Sequence, residues 1–134
     1  MKTTDLHAEL DVLKKSLTRV YTLIHELADT FPSDNAQILA IQHAVCFHFD
    51  LPLSSMRDKN RCSVYVYVRQ VAMYLCRKHT NASQRDIAHA FGKEDHGTVA
   101  YAEQMIQNRL DTDKKVVAQV AAIEAKLTED KIIP

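Results

Sequence analysis

The N-terminal part of the chain carries apolar residues at alternating intervals of four and three positions. They are Leu6, Leu10, Leu13, Leu17, Val20, Ile24, Leu27 and Phe31. This spacing is typical of a helix that packs against another helix with coiled-coil geometry. With Leu10 at heptad position a, Glu9 falls at g and Lys14 at the following e, so a parallel partner would allow an interhelical ion pair. The pattern fits both an amphipathic helix folded back on its own domain and the seam of a homodimer.

The first predicted helix ends at Phe31, because proline disfavours helical geometry in the residue before it. Helical periodicity resumes after Pro32. Apolar stripes and caps predict a helix that contains Ile38–Phe49, a helical turn at Leu53–Met56, a helix from about Val64 to His79, a short helix capped by Ser83, a helix from Asp95 through Leu110 and a last helix that contains Val116–Leu127. No convincing strand or internal repeat interrupts this series. We therefore predict an all-α protein of about six or seven helices.

Both glycines of the chain lie in one short stretch, FGKEDHGTVAY. Gly92 follows the short helix at the position where a glycine commonly ends one. A short turn and the helix that Asp95 caps come next, which is the outline of a helix-turn-helix. Gly97 lies inside the first turn of that second helix, where glycine adds no stability. We infer that position 97 needs the absence of a side chain, either because a partner's backbone approaches closely or because a reading side chain has been lost.

Charge is balanced over the whole chain but uneven along it. The 17 basic and 17 acidic residues argue against a polyanion-binding surface that covers the entire protein. Between positions 57 and 78, however, there is one acid and a group of basic residues: Arg57, Lys59, Arg61, Arg69, Arg77 and Lys78. Such a patch is what a neutral protein needs to bind DNA, although a solvated helix face can have the same composition.

Several classes of protein are disfavoured by the content of the sequence. The early acids and the lack of a long apolar run predict neither a signal peptide nor a membrane span. The 3 cysteines are widely spaced and odd in number, which favours reduced thiols in a cytoplasmic protein. His43 and His48 are not spaced to share a helix face, and no side chain has a recognisable nucleophile setting. We therefore expect no metal site, no cofactor and no enzymatic activity.

Two separated blocks of sequence resemble a known family. RQVAMYL at 69–75 and FGKEDHGTVAYA at 91–102 are similar to R-Q-x-A-M-x-L and F-G-G-R-D-H-[ST]-T-V in the C-terminal DNA-binding domain (domain IV) of the bacterial replication initiator DnaA. The resemblance extends from Ile38 to Leu127. It implies a Trp-repressor-like helical domain with a helix-turn-helix over 34–134, preceded by the amphipathic helix over 1–33. It also implies a nucleoid-associated protein that binds double-stranded DNA, linked to a replication origin or its regulation.

The resemblance places seven residues against DNA. In the family, the second helix of the motif enters the major groove and its first residues meet base edges. By position, Asp95 would accept from a cytosine amino group, and His96 and Thr98 would contact thymine methyls or phosphates. Arg61 matches the residue that the family places in the minor groove. Three further positions match residues that hold the phosphate backbone or the groove edge: Arg69, Gln70 and Arg77.

The chain departs from the family pattern at positions expected to face DNA. Glu94 stands where the family has arginine, and Gly97 stands where it has serine or threonine. An acid near phosphates weakens binding, and the glycine removes a base contact. The loop before the long helix is also less basic than in the family, with Asn60, Ser63 and Tyr67. These departures leave open a second hypothesis, a protein-interaction module of the same fold that has lost specific DNA reading.

The resemblance does not include the initiator's ATPase. Nucleotide binding by that ATPase requires a G-x-x-x-x-G-K-[ST] loop, and the 2 glycines of this chain are both accounted for by the helix-turn-helix. We therefore expect a DNA-reading domain that neither binds nor hydrolyses ATP and does not enter a membrane. The expected partners are double-stranded DNA and, through the Leu6–Phe31 helix, a second copy of the chain.

Overall fold

A computed structural model describes residues 3–30 and 33–133, with side chains described for 6–24 and 33–133. The chain divides into two compact units, Met1–Ser33 and Asp34–Pro134. Six α-helices and one short 3-10 helix make up the regular structure of the described residues, which include no strand. The all-α prediction is therefore confirmed.

The first unit is a single long helix, α1 (Thr3–Thr30). The predicted seam residues from Leu6 to Ile24 are all exposed, between 48% and 68%. The side chain of Leu27 and the whole of Phe31 lie outside the described residues, as does Pro32. The predicted N-terminal helix is thus present, and the described part of its seam has an open apolar face.

The second unit is built around α3. Its helices are α2 (Asp34–Phe49), the 3-10 helix Leu53–Met56, α3 (Ser63–His79), α4 (Gln84–Ala90), α5 (Gly97–Thr112) and α6 (Lys114–Glu129). α3 packs against α2, α4 and α5, and α6 packs against α2 and α5. The stripe predicted on α3 forms the centre of the core, since its members are fully or almost fully buried: Val68, Val71, Ala72, Leu75 and Cys76. Burial of such side chains is the main favourable term in folding.

Local capping signals set both ends of α4. The Ser83 hydroxyl oxygen accepts from the backbone N–H of Asp86 at 3.1 Å, so the predicted N-cap is present. At the other end Gly92 has a φ of 70°. Its N–H donates to His89 O at 3.0 Å, and the Lys93 N–H donates to Ala88 O at 2.9 Å. These two bonds form a Schellman motif, which needs a residue in the left-handed conformation.

The start of α5 differs from the prediction. The helix begins at Gly97 and not at Asp95. The Asp95 carboxylate accepts from the Gly97 N–H at 2.8 Å, and the Asp95 carbonyl accepts from the Thr98 N–H at 3.2 Å. Asp95 therefore stabilises the helix start from outside, as an N-cap residue does, and the capping role inferred from the sequence is present at a boundary two residues further along.

A polar cluster joins the end of α3 to α6. Lys78 Nζ and His79 Nε2 lie 2.9 and 2.6 Å from the same carboxylate oxygen of Glu124. An ionised carboxylate only accepts hydrogen bonds, so the His79 nitrogen must carry a proton. Burial raises the pKa of Glu124, but the hydrogen bonds from Lys78 and His79 and the attraction of their charges together hold the pKa below its ordinary value.

We predict that Glu124→Gln destabilises the protein by about 0.5–1 kcal/mol near neutral pH, because the pair is partly solvent-screened. The folded-state pKa lies below the unfolded one, so the contribution is complete above about pH 4.3 and is lost as pH falls through the folded-state value. Urea unfolding of wild type and variant at several pH values measures this. Glu129→Gln, on the exposed surface of the same helix, is the control. A deficit for Glu124→Gln that persists unchanged in strong acid would contradict the assignment.

Candidate nucleic-acid interface

The packing of α4 and α5 leaves the start of α5 at the surface. Phe91 and Val99 are 0% exposed, so the turn between the two helices is held to the core on both sides. Asp95 and His96 are exposed and Thr98 is partly buried. Residues 84–112 therefore have the arrangement expected of a helix-turn-helix, with the first residues of the second helix accessible to a partner.

The largest group of predicted site residues lines one open cleft of about 600 Å³, which we call the main cleft. It contains five of the predicted residues: Arg61, Arg69, Gln70, Asp95 and Thr98. They come from the loop before α3, from α3 itself and from the start of α5. The cleft is also lined by Lys59, Lys93 and Tyr101, which the sequence-based site did not include.

The other two predicted residues, Arg77 and His96, line a second open cleft of about 640 Å³, the side cleft. Arg85 of α4 also contributes to it. Glu94 lines both clefts. The acid that replaces a family arginine thus lies at the boundary between the two basic surfaces, where it lowers the positive potential of each.

The burial of Arg69 is not evident from the amino-acid sequence. It is only 5% exposed, and its Nε donates to Tyr65 O at 3.2 Å. Its Nη2 donates to the carbonyl of Asn60 in the loop before α3. The buried guanidinium therefore fixes the loop to the helix, whereas its predicted contact with a phosphate stays a prediction.

The same loop is also held by its own side chains. The Asn60 N–H donates to Asp58 Oδ1 and the Cys62 N–H donates to Asn60 Oδ1, each at 2.9 Å. Such Asx turns fix a loop locally without secondary structure. Arg61, the central residue of the second turn, is exposed. The loop thus presents the Arg61 side chain from a constrained backbone.

Acids neutralise part of the basic patch. Arg77 Nε lies 3.7 Å from Glu103 Oε2, and Lys78 is paired with Glu124. In contrast, no acid in the described part of the chain lies within ion-pair distance of Lys59 or Arg61. Within the basic patch at 57–78, Lys59 and Arg61 therefore keep unneutralised charge, and both line the main cleft.

Gly97 owes its importance to a neighbouring side chain and not to a neighbouring backbone. A Cβ atom at this position would lie 3.1 Å from Asp95 Oδ1, and the next nearest atoms also belong to that carboxylate. Among the described residues of this chain, the nearest atoms to such a Cβ all belong to Asp95, whereas the approach of a partner's backbone stays a prediction. The glycine leaves room for the Asp95 carboxylate to fold onto the helix start.

The sequence positions of Lys93 and Tyr101 already place them near the start of α5, although the family motif does not include them as DNA contacts. Lys93 belongs to the turn itself, and Tyr101 lies one helical turn after Gly97 on the same face. Tyr101 is 61% exposed and therefore accessible to a partner. Both residues extend the surface that surrounds the start of α5.

The described residues contain no group of three or more histidine, cysteine or acidic side chains placed to hold a metal ion. None of the helices in the described part of the chain is both long and apolar enough to cross a membrane.

Residues 38–106 match the family described as "Bacterial dnaA protein helix-turn-helix". The chain belongs to this family. It is 35% identical over 118 residues to the chromosomal replication initiator protein DnaA of Methylacidiphilum infernorum, an alignment that covers 88% of this chain and 26% of the relative. It is 39% identical over 87 residues to the protein of the same name from Bacteroides thetaiotaomicron, covering 65% of this chain and 18% of the relative.

A solved structure supports the same assignment. The crystal structure of a DNA replication initiation factor aligns with a TM-score of 0.65 and 27% identity, over 89% of this chain and 36% of that chain. The chain therefore spans about a quarter or less of the two curated relatives and about a third of the solved one. The resemblance to DnaA domain IV, and the helix-turn-helix fold that it implied, are confirmed.

The two glycines should respond differently to alanine. Gly92→Ala should cost about 1–2 kcal/mol, because its φ of 70° is unfavourable for a side chain although its surroundings have room. Gly97→Ala should change stability by less than about 0.5 kcal/mol, because reduced unfolded-state entropy offsets the displacement of the Asp95 carboxylate. Thermal and urea unfolding of the two variants measure this. A larger loss for Gly97→Ala than for Gly92→Ala would contradict both explanations.

Proposed function

We propose that this protein binds double-stranded DNA through its helix-turn-helix, with the start of α5 in the major groove and Arg61 in the adjacent minor groove. The observation that carries the proposal is the main cleft, which collects Arg61, Gln70 and Thr98 from three separate segments of the chain. Family membership adds to it, because the matched residues, 38–106, include the turn and the first part of α5. A replication origin, or the regulation of one, is the proposed setting, within the nucleoid of the cytoplasm.

The electrostatics of the main cleft support this proposal. Lys59 and Arg61 come from the loop, Lys93 comes from the turn, and all three line the same cleft. A neutral protein can bind a polyanion only where its cations are locally in excess, because each neutralised phosphate releases condensed counterions. The contact of Arg69 with the Asn60 carbonyl gives Arg61 a fixed starting position. Arg69 thus acts in the proposal first as a support for the loop, and only then as a phosphate ligand.

Glu94 and Gly97 are expected to set the strength and selectivity of reading. Glu94 lies at the edge of both clefts, where its charge opposes phosphate binding. Gly97 provides no side chain for a base edge, and its neighbour Asp95 has one carboxylate oxygen bonded to the helix start. A lost contact of this kind is worth about 1–3 kcal/mol. We propose that the preferred sequence or the affinity differs from that of relatives with arginine and serine or threonine at these positions.

A homodimer formed through the Leu6–Phe31 helix is the second part of the proposal. The open apolar face of α1 supports it, and two linked reading domains would raise the affinity of a weakened reader without new contacts. The alternative, α1 packed on its own domain, stays open. The proposed activity is binding alone, without bound nucleotide, a catalytic step or insertion into a membrane.

Arg61→Ala should weaken duplex binding about fivefold or more at moderate salt and reduce the slope of log affinity against log salt by about one. Lys115→Ala, which removes an equal charge from the exposed start of α6, should leave both quantities unchanged. Fluorescence anisotropy over a salt series measures them. Equal behaviour of the two variants would refute the proposed binding mode.

Arg69→Ala combined with Arg61→Ala should abolish binding. Because Arg69 is buried, its effect must be separated from unfolding. The thermal stability of the double variant is therefore measured beside its affinity.

The second candidate function is a protein-interaction module of the same fold. The ion pair of Arg77 with Glu103 favours it, because an arginine already paired within the protein offers less to a phosphate. The unpaired Lys59 and Arg61 favour DNA. The two functions differ in whether duplex DNA binds to the main cleft.

Selection of bound duplexes from a random pool at moderate salt separates these functions. We expect recovery of a defined motif with wild-type protein and a changed or strengthened motif with Glu94→Arg, because the acid is replaced by the arginine typical of the family. Absence of enrichment with both proteins would favour the interaction module. A folded-state check by circular dichroism accompanies each protein.

A further inference from the structure

We propose that α1 pairs in parallel with α1 of a second copy, so that both reading domains leave the paired helices at the same end and engage two half-sites of one duplex. The parallel orientation of the two α1 helices and the two half-sites on the duplex make the proposed function more specific. The second half of this inference rests on DNA binding, whereas the first half does not.

The apolar face of α1 has the geometry of a coiled-coil seam. Among the described side chains, positions a are Leu10, Leu17 and Ile24, and positions d are Leu6, Leu13 and Val20. Each of the six is about half exposed or more. Tyr21 and Leu23 flank the seam at e and g, where they widen the strip that a partner would cover. A monomer rarely leaves a continuous apolar strip of this length in water.

The charges beside the seam favour a parallel partner. The described g positions are Glu9, Ser16 and Leu23, and the described e positions are His7, Lys14 and Tyr21. In a parallel pair each g residue faces the following e residue of the partner, so Glu9 meets Lys14 twice, once on each side. In an antiparallel pair e faces e and g faces g, and no acid meets a base within this stretch. Only the parallel arrangement therefore gains unlike-charge contacts.

A parallel pair determines what the two reading domains can reach. The ends of both α1 helices at residue 30 lie together, and the second unit of each chain begins at Asp34. In the proposed complex with DNA, the same twofold axis also relates the two α5 helices. Twofold-related helix-turn-helix domains bind half-sites of inverted orientation. The proposed DNA partner is thus a duplex with two inverted copies of the recognised motif.

The coiled coil is tested by charge reversal in the full chain. Glu9→Lys and Lys14→Glu, each alone, should weaken dimerisation about tenfold at low salt, because attraction becomes repulsion on both sides of the seam. An equal mixture of the two variants should regain wild-type affinity, since each heterodimer restores both ion pairs. Lys15→Glu, at position f on the opposite face, should have no effect. Sedimentation equilibrium measures all four samples.

Two results would overturn the parallel dimer. The first is a chain that stays monomeric at every concentration, which would favour α1 packed on its own domain. The second is a dimer that the mixture does not restore, which would exclude Glu9 facing Lys14 across the seam. Neither result depends on DNA.

The duplex architecture is tested by selection from a random pool with wild type and with Leu17→Asp, which introduces a charge into the seam. Wild type should recover inverted pairs of one motif, and Leu17→Asp should recover single copies of the same motif. Single copies or direct repeats with wild type would overturn the twofold arrangement. Recovery of no motif would refute specific reading, and the paired-site arrangement with it, while the mixing result would still decide the coiled coil.

Discussion

The burial of Phe91 beside the left-handed Gly92 is the interaction on which the candidate interface depends. Phe91 is fully buried at the end of α4, and the two Schellman hydrogen bonds turn the chain away from the helix axis immediately after it. Val99 then returns the chain to the core. With both ends of the turn held in the core, Glu94, Asp95 and His96 between them are exposed, and Lys93 is partly exposed.

A second constraint connects this turn to the rest of the basic surface. The buried Arg69 donates hydrogen bonds to two backbone carbonyls, one in its own helix and one in the loop nine residues earlier. Burying a guanidinium is costly unless its donors are satisfied, so these bonds tie the position of the loop to the packing of α3. Because α3 also packs against α5, one helix positions both the loop and α5. Preorganisation of this kind lowers the entropy lost on binding.

The parts of the structure that sequence predicts are those that local physics determines. The Ser83 cap, the end of α4 at Gly92 and the buried stripe of α3 each depend on neighbours within a few residues, and all three are present. The burial of Arg69 depends on the Asn60 carbonyl, and the pairing of Arg77 depends on Glu103 of another helix. Neither contact is indicated in the sequence by hydrophobic periodicity or by a capping residue. The family motif was sufficient to predict that five site residues lie close together. The part that Lys93 and Tyr101 take in the same surface follows only from the lining of the main cleft.

The position of Glu94 bears directly on the proposed DNA binding, because this acid borders both clefts. An acid on a remote surface would be screened within about 10 Å at ordinary salt, and would alter neither cleft. Glu94 instead borders both, so its charge acts on every phosphate that either cleft would hold. The cost falls on all duplexes alike, since phosphates carry no sequence information. An acid at this place therefore lowers nonspecific affinity more surely than it changes base preference, and a protein weakened in this way gains most from holding two reading domains on one duplex.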